Sequence, residues 1–274
     1  MQPKSFPSQN MTATPIFQTQ DSLGGIDVRE VEGIRSLHFN SEPLQSAMAV
    51  AQPDHLHLAY AQAMMSWLLF ADVEEDDLLL IGLGGGSIAK YLLQQLPRCH
   101  LEAVEYRQAV VDIAHAYFGL PKDDRLNVVV EDGARYVYER IHLQEAFYRV
   151  ILLDAFDATG MAPALCCPEF FKACHTLLKQ NGILVVDLWN SKAEFEQPFK
   201  WLGTLFQAKM LFLPVHGMIN VIGLFFNADT PLYSLKVLKK RAIALEKKHH
   251  LPFKHFLKVL VESNPHFIKN VITA

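Results

Sequence analysis

Leu78-Leu79-Leu80-Ile81-Gly82-Leu83-Gly84-Gly85-Gly86-Ser87 decides the fold of this chain. An apolar run leads straight into a glycine loop, and Ile88-Ala89-Lys90-Tyr91-Leu92-Leu93 continues as a helix. A loop without β-carbons lets backbone N–H groups come close to a ligand. The helix N-terminus behind it favours polar or anionic ligand atoms. Glu105 closes the next apolar segment, Leu101-Glu102-Ala103-Val104, and stands 19 residues beyond Gly86. Strand, glycine loop, helix, strand and acid in that order are how a doubly wound α/β fold holds a ribose, with the carboxylate accepting from its hydroxyls.

Outward from this segment, apolar strands are expected at 78–82, 101–105, 126–131, 149–154, 183–188, 210–214 and 221–226. Helices fall between most of them, near 87–96, 107–118, 133–144, 168–179 and 194–207. Such alternation predicts a parallel sheet covered on both faces. Only Val215 to Asn220 separate the last two strands, too few residues for a crossover helix, so these should pair antiparallel. The layout resembles the Rossmann-like class I S-adenosylmethionine-dependent methyltransferase fold: a mostly parallel seven-stranded sheet with an antiparallel C-terminal hairpin.

The flanking regions have other textures. Residues 1–25 read as a loosely ordered N-terminus. Residues 26–52 read as a small β-meander, since Val28 to Glu32 and Ser36 to Asn40 alternate with period two around Gly33. A helix is expected over about His55 to Phe70, opening a main domain over 53–230. The stretch 231–274 is a helical extension, basic through Lys236, Lys239, Lys240, Arg241, Lys247 and Lys248. Leu235, Leu238, Ala242 and Leu245 make it a solvated helix packing by one stripe; a nucleic-acid contact is the alternative.

The 274 residues carry 25 Lys and Arg against 29 Asp and Glu, a formal net charge of −4. That balance gives no reason to expect nucleic acid or an anionic membrane as partner. No apolar run approaches a membrane span and Met1 to Gln20 has no apolar signal core, so a cytoplasmic location is expected. Cys99, Cys166, Cys167 and Cys174 lack paired CxxC spacing and read as reduced thiols, with a zinc site at Cys166, Cys167, Cys174 and His175 the weaker alternative. No metal is expected.

Polar residues gather at consecutive strand ends: the loop Gly82–Gly86, Glu105, the pair Asp132-Gly133, and Asp154 with Asp157. Ligands bind at this edge of open parallel sheets. One such carboxylate could be a helix cap, but three in a row beside a glycine loop point to a shared site. Glu105 is expected at the ribose and Asp132 at the adenine amine, a role compatible with capping the helix at Ala134–Glu139. Asp154 faces the reacting end, where it can hold or deprotonate an amine. Asp157 can bind an ammonium group or serve as a turn residue in Asp157-Ala158-Thr159-Gly160.

Taken in order, these pieces resemble the spermidine synthase (polyamine aminopropyltransferase) family over about Val28 to Phe226. Leu44-Gln45-Ser46 resembles the glutamine segment ending its N-terminal β-domain, and Pro53 to Met64, with Tyr60, its entry helix. Ile81 to Ser87 resembles its glycine loop. Val104-Glu105 with Ala114-His115-Ala116-Tyr117-Phe118 resembles its ribose strand and following helix. Glu131 to Tyr136 resembles its adenine segment. Leu153-Asp154-Ala155-Phe156-Asp157, then Leu165 and Glu169-Phe170-Phe171, resembles its catalytic loop. The resemblance implies a nucleoside site built from Gln45, Gly82, Gly84, Gly85, Gly86, Glu105, Asp132 and Gly133. It makes Asp154 the catalytic carboxylate and places Tyr60 and Asp157 in the amine channel. The implied reaction displaces a sulfonium: an aminopropyl group passes from decarboxylated S-adenosylmethionine to a small amine, without a metal.

Two departures stand out. The family's loop usually carries an aspartate where this chain has Gly85, and that aspartate pairs with the donor's amino group. Ala61-Gln62 stands where the family often has His-Glu. Losing the loop carboxylate also removes a repulsion against intact S-adenosylmethionine. The alternatives are therefore methyl transfer from S-adenosylmethionine to a small acceptor, or a non-catalytic nucleoside-binding protein. The N-terminal β-segment and the C-terminal helix could serve as homodimer surfaces.

Overall fold

A computed structural model describes residues 14–40, 44–142, 146–155, 162–189 and 192–273. The central layer is a seven-stranded sheet. Its strands are β5 (Asp77–Ile81), β6 (His100–Glu105), β7 (Leu126–Val130), β8 (Tyr148–Leu153), β9 (Leu178–Trp189), β10 (Met210–Pro214) and β11 (Asn220–Phe226). They run in the order β10-β11-β9-β8-β5-β6-β7. β5 to β9 are mutually parallel, while β11 lies antiparallel to both β9 and β10. The expected fold class is thus present. The chain starts in the middle of the sheet at β5 and works to one edge before crossing to the other. The reversal between β5 and β8 opens the crevice in which such sheets bind ligands.

Period-two burial explains the layers. Leu78, Leu80, Val150, Leu152, Ile183 and Val185 enter one core. Leu79, Ile81, Ile151, Leu153, Leu184 and Val186 enter the other. Strands buried on both faces read as continuous apolar runs. The helices α2 (Ser87–Gln95), α3 (Gln108–Tyr117), α4 (Gly133–Ile141), α5 (Pro168–Leu177) and α6 (Lys192–Leu205) follow the strands in turn. The entry helix is shorter than expected. α1 spans Ala59–Met64 and tightens into a 3-10 turn, Met65–Leu69, whose residues are all buried.

The N-terminal layer begins earlier than the sequence reading has it. β1 (Phe17–Asp21) and β2 (Gly24–Val31) lie partly in the segment expected to be loose, and β3 (Ile34–Phe39) and β4 (Leu44–Ala49) complete an antiparallel sheet. β1 alternates partly buried and exposed residues in a polar run, so periodicity alone is faint there; pairing along its length with β2 makes it a strand. One face of this sheet, with Ile26, Val28, Leu37 and Met48, packs on Val110, Ile113 and Phe118 around α3.

Two buried cations join the layers. Arg107 forms a two-point pair with Asp21 at 2.8 and 2.9 Å, donates to the Gly24 carbonyl, and lies over the Phe39 ring. Lys90 of α2 donates to the carbonyls of Pro53 and Phe118, both at 2.6 Å. The C-terminal extension is two helices, α7 (Leu235–His249) and α8 (Phe253–Ser263), instead of one. His250 turns left-handed at φ 55 and Pro252 prevents continuation. Leu238 and Ala242 are buried and Leu235 and Leu245 partly so, while Arg241 pairs with Asp72. The pair β12 (Tyr233–Ser234) and β13 (Ile272–Thr273) closes the extension. No helix among the described residues is long and apolar enough to cross a membrane.

Arg107 is buried, so removing its partner leaves a poorly compensated charge. Asp21→Ala should lower stability by about 2 kcal/mol, less than for a fully buried pair because Asp21 is partly exposed. The arginine holds the Asp21 carboxyl below its usual range. The pair's contribution is therefore present at neutral pH and lost as the pH falls through the carboxylate range. Urea unfolding of both proteins at neutral and acid pH measures this: their stabilities should converge in acid.

Candidate active site

The C-terminal ends of β5 to β9 border a cavity of about 660 Å³. Gln45, Tyr60, Gly82, Gly84, Glu105, Asp132, Gly133 and Asp154 all line it, as the sequence reading requires. Gly85 and Gly86 are not among the lining residues. Asp157 lies outside the described residues.

Gly82 makes the crevice possible. Its φ is +95, and a β-carbon there would stand 2.0 Å from the Asp154 carbonyl oxygen. Gly82 N–H bonds to Val104 and Asp154 N–H to Ile81, so three neighbouring strands meet at this residue. The glycine loop itself behaves differently from expectation. Its N–H groups turn inward to a protein carboxylate: Glu105 Oε2 accepts from Leu83 at 3.1 Å and Gly84 at 3.4 Å, and Oε1 accepts from the Arg107 N–H at 3.0 Å. A loop whose donors are already held by a carboxylate suits a ribose better than a phosphate. Burial raises the Glu105 carboxyl above its ordinary value, and the three backbone donors oppose that shift.

Asp132 caps α4, accepting from the Arg135 N–H at 2.9 Å through Oδ1, and also lines the cavity. The two roles proposed for it share one side chain. Gly85 faces inward: a β-carbon there would meet Ser46 Oγ at 2.8 Å and the Phe118 ring at 2.9 Å. A side chain at this position has to displace both. Ala61 lines the cavity, and Gln62 turns away to donate to the Leu56 carbonyl at 2.7 Å.

At the reacting end, Tyr60 donates to Asp154 Oδ2 at 3.4 Å. Burial pushes the Asp154 carboxyl up to about 7, against the opposing tyrosine bond. Burial and the charges of Asp154 and Asp187 push the Tyr60 hydroxyl well up. Asp187 is a cavity acid that the sequence reading missed. It lies in β9, lines the cavity, is 2 % exposed, and accepts from Asn220 Nδ2 at 2.7 Å. Burial, and then the Asp154 charge, raise its carboxyl well above the ordinary range. The signal for it was present: it follows Ile183-Leu184-Val185-Val186, as Asp154 follows an apolar run. Trp189, Met218 and Ile219 add an apolar rim.

Cys99 and Cys174 are buried, Cys166 and Cys167 are partly buried, and none of the four is in a disulfide. Among the described residues no group of three His, Cys, Asp or Glu is placed to hold a metal ion.

The strand order and the row of strand-end acids define a class I S-adenosylmethionine-type transferase fold. Residues 57–209 match the spermine/spermidine synthase domain. A polyamine aminopropyltransferase of Neisseria meningitidis is 34% identical over 241 residues, covering 88% of this chain and 90% of that one. The chain therefore belongs to the spermine/spermidine synthase family. Among solved structures, a probable spermidine synthase from Corynebacterium glutamicum superposes with TM-score 0.71 at 18% identity, covering 86% of this chain and 87% of that chain. Human methyltransferase-like protein 13, in complex with SAH, superposes with TM-score 0.64 at 24% identity over 71% of this chain and 94% of that chain. Both likenesses concern the fold.

Two variants probe this geometry. Gly82→Ala should cost about 3 kcal/mol or more in urea unfolding, because both the positive φ and the Asp154 backbone oppose a β-carbon. Asp154→Asn should have the opposite effect at alkaline pH. A carboxyl raised by folding contributes stability in its protonated form, fully present below its unfolded value and lost as pH rises through about 7. The variant should exceed the unliganded parent by on the order of 2 kcal/mol at pH 8 and match it in acid, read from unfolding at both pH values.

Proposed function

We propose that the chain transfers an aminopropyl group from decarboxylated S-adenosylmethionine to a small amine, with Asp154 as the catalytic carboxylate. The observation carrying this is the acid pair Asp154 and Asp187 in a cavity wall also formed by Tyr60. Among the described lining residues the guanidinium, Arg107, is committed to Asp21. A cavity lined by Glu105, Glu131, Asp132, Asp154 and Asp187 favours cationic ligands. A sulfonium donor without a carboxylate and an amine acceptor are both cationic, whereas intact S-adenosylmethionine adds a carboxylate to an acidic site.

Glu105 holds the ribose and Asp132 the adenine amine, while Gln45 and the side-chain-free surface of Gly82 and Gly84 pack against the nucleoside. The amine nitrogen attacks the carbon next to sulfur in line with the departing thioether. The C–N bond forms as the C–S bond breaks, and its electron pair neutralises the sulfonium. Asp154 takes the proton that frees the nitrogen lone pair. Because the leaving group is already activated, catalysis rests on positioning and on the charge of a partly dry site.

Methyl transfer from intact S-adenosylmethionine is the second reading, favoured by Gly85. Ser46 and Phe118 fill the space where a loop side chain would stand, so residue 85 provides no acid for the donor's amino group. Calorimetry with the two donors separates the readings. Decarboxylated S-adenosylmethionine should bind at least tenfold more tightly, and a diamine acceptor should gain one aminopropyl unit by mass spectrometry. Asp154→Asn should bind donor and form no product. Tighter binding of intact S-adenosylmethionine would favour methyl transfer; absence of any product with donor bound would favour the non-catalytic reading.

A further inference from the structure

The register of β8 with β9 places a second acid beside Asp154. Leu153 pairs with Val186, so Asp154 and Asp187 come next on neighbouring parallel strands. Neighbouring strands lie about 5 Å apart, and residues in register share a face. Leu152 and Val185, two residues earlier, both enter the core against which Tyr60 packs, so both acids continue that face. One oxygen of Asp187 is held by Asn220 of β11. The other, Oδ1, is fully buried and has no well-aligned hydrogen-bond donor among the described residues, the Leu188 N–H bearing only weakly on the carboxylate. A buried carboxylate oxygen left without a donor is costly, and it is tolerated where a ligand supplies the donor.

We propose that Asp187 and Asp154 act as one acceptor-binding unit: their carboxylates grip the reacting ammonium group of the amine substrate from two neighbouring strands and jointly take its proton. The inference rests on the aminopropyl-transfer reading and names the protonated amine as the form that enters. Two carboxylates this close cannot both stay charged in a protein interior, so the empty pair holds one proton. The entering ammonium supplies the missing positive charge and expels that proton to solvent. The pair then takes one proton from the ammonium, leaving a neutral amine. That nitrogen attacks the donor carbon, C–N forming as C–S breaks, and the product departs as a secondary ammonium. Over the cycle one proton is released for each group transferred. The titratable groups bearing on Asp187 are Asp154, just past β8, and Tyr60 of α1, while β11 presents the neutral Asn220 amide and β9 itself the Leu188 N–H.

The test binds putrescine, as a simple diamine, to the protein saturated with 5′-methylthioadenosine, the nucleoside left after aminopropyl loss. Calorimetry near neutral pH in two buffers of different ionisation enthalpy reads protons released per amine. The parent should release up to one proton, with a buffer-dependent enthalpy. Asp187→Asn, matched in shape, should bind putrescine at least tenfold more weakly and release few protons. It should bind 5′-methylthioadenosine unchanged, which shows that it folds. In turnover its amine KM should rise more than its kcat falls, and its pH profile should shift toward that of a single acid. Unchanged putrescine affinity and proton release in Asp187→Asn would overturn the inference, as would a parent that binds no putrescine. Product analysis by mass spectrometry judges the aminopropyl-transfer reading separately: a parent that binds putrescine with proton release but forms no product sinks that reading and leaves the paired site standing.

Discussion

The Glu105 carboxylate is the constraint on which the site depends. It ends β6, gathers the N–H groups of Leu83 and Gly84 from the loop after β5, and takes the N–H of Arg107. The Arg107 side chain then reaches Asp21 and Gly24 in the N-terminal sheet. One buried acid thus sets the loop's shape, and its neighbour fixes the small sheet over the crevice. Burial opposes its charge and the backbone donors restore part of the balance. Residual acceptor capacity on such a group is suited to ribose hydroxyls, which complete the donor set without adding charge.

The same tension runs along the sheet edge toward the reacting end. Among the described residues Asp154 and Asp187 have fewer donors than Glu105, and burial pushes their carboxyls up more strongly. The wall is thus graded, from an acid satisfied by backbone to acids with few protein donors. In the proposed reaction the nucleoside takes the first end and the cation the second. Gly82 permits this by letting the Asp154 backbone approach to a distance no side chain allows.

Much of the fold was legible because the sheet is buried on both sides. Runs such as Leu78–Ile81 and Val150–Leu153 have no polar interruptions, and the helices between them are long enough for crossovers. Boundaries failed where the cause is not local. β1 is a polar run made a strand by its pairing with β2; the break between α7 and α8 combines a left-handed His250 that composition does not mark with Pro252, a local stop that the single-helix reading passed over. α1 is short because the chain tightens to bury Trp67 and Leu69 together.

By itself the sequence determined the α/β architecture and set Glu105, Asp132 and Asp154 after consecutive apolar strands, where all three line the cavity. Each follows from a local rule: an apolar run, then a glycine or an acid at its C-terminal end. Tertiary structure alone decided three things. The loop's donors turn to Glu105 and away from any ligand phosphate. Gly85 faces Ser46 and Phe118, outside the cavity lining. Asp187 stands beside Asp154. The reason is the same in all three: strand register and the packing of distant segments set which groups meet, and neither is written in any one stretch of chain.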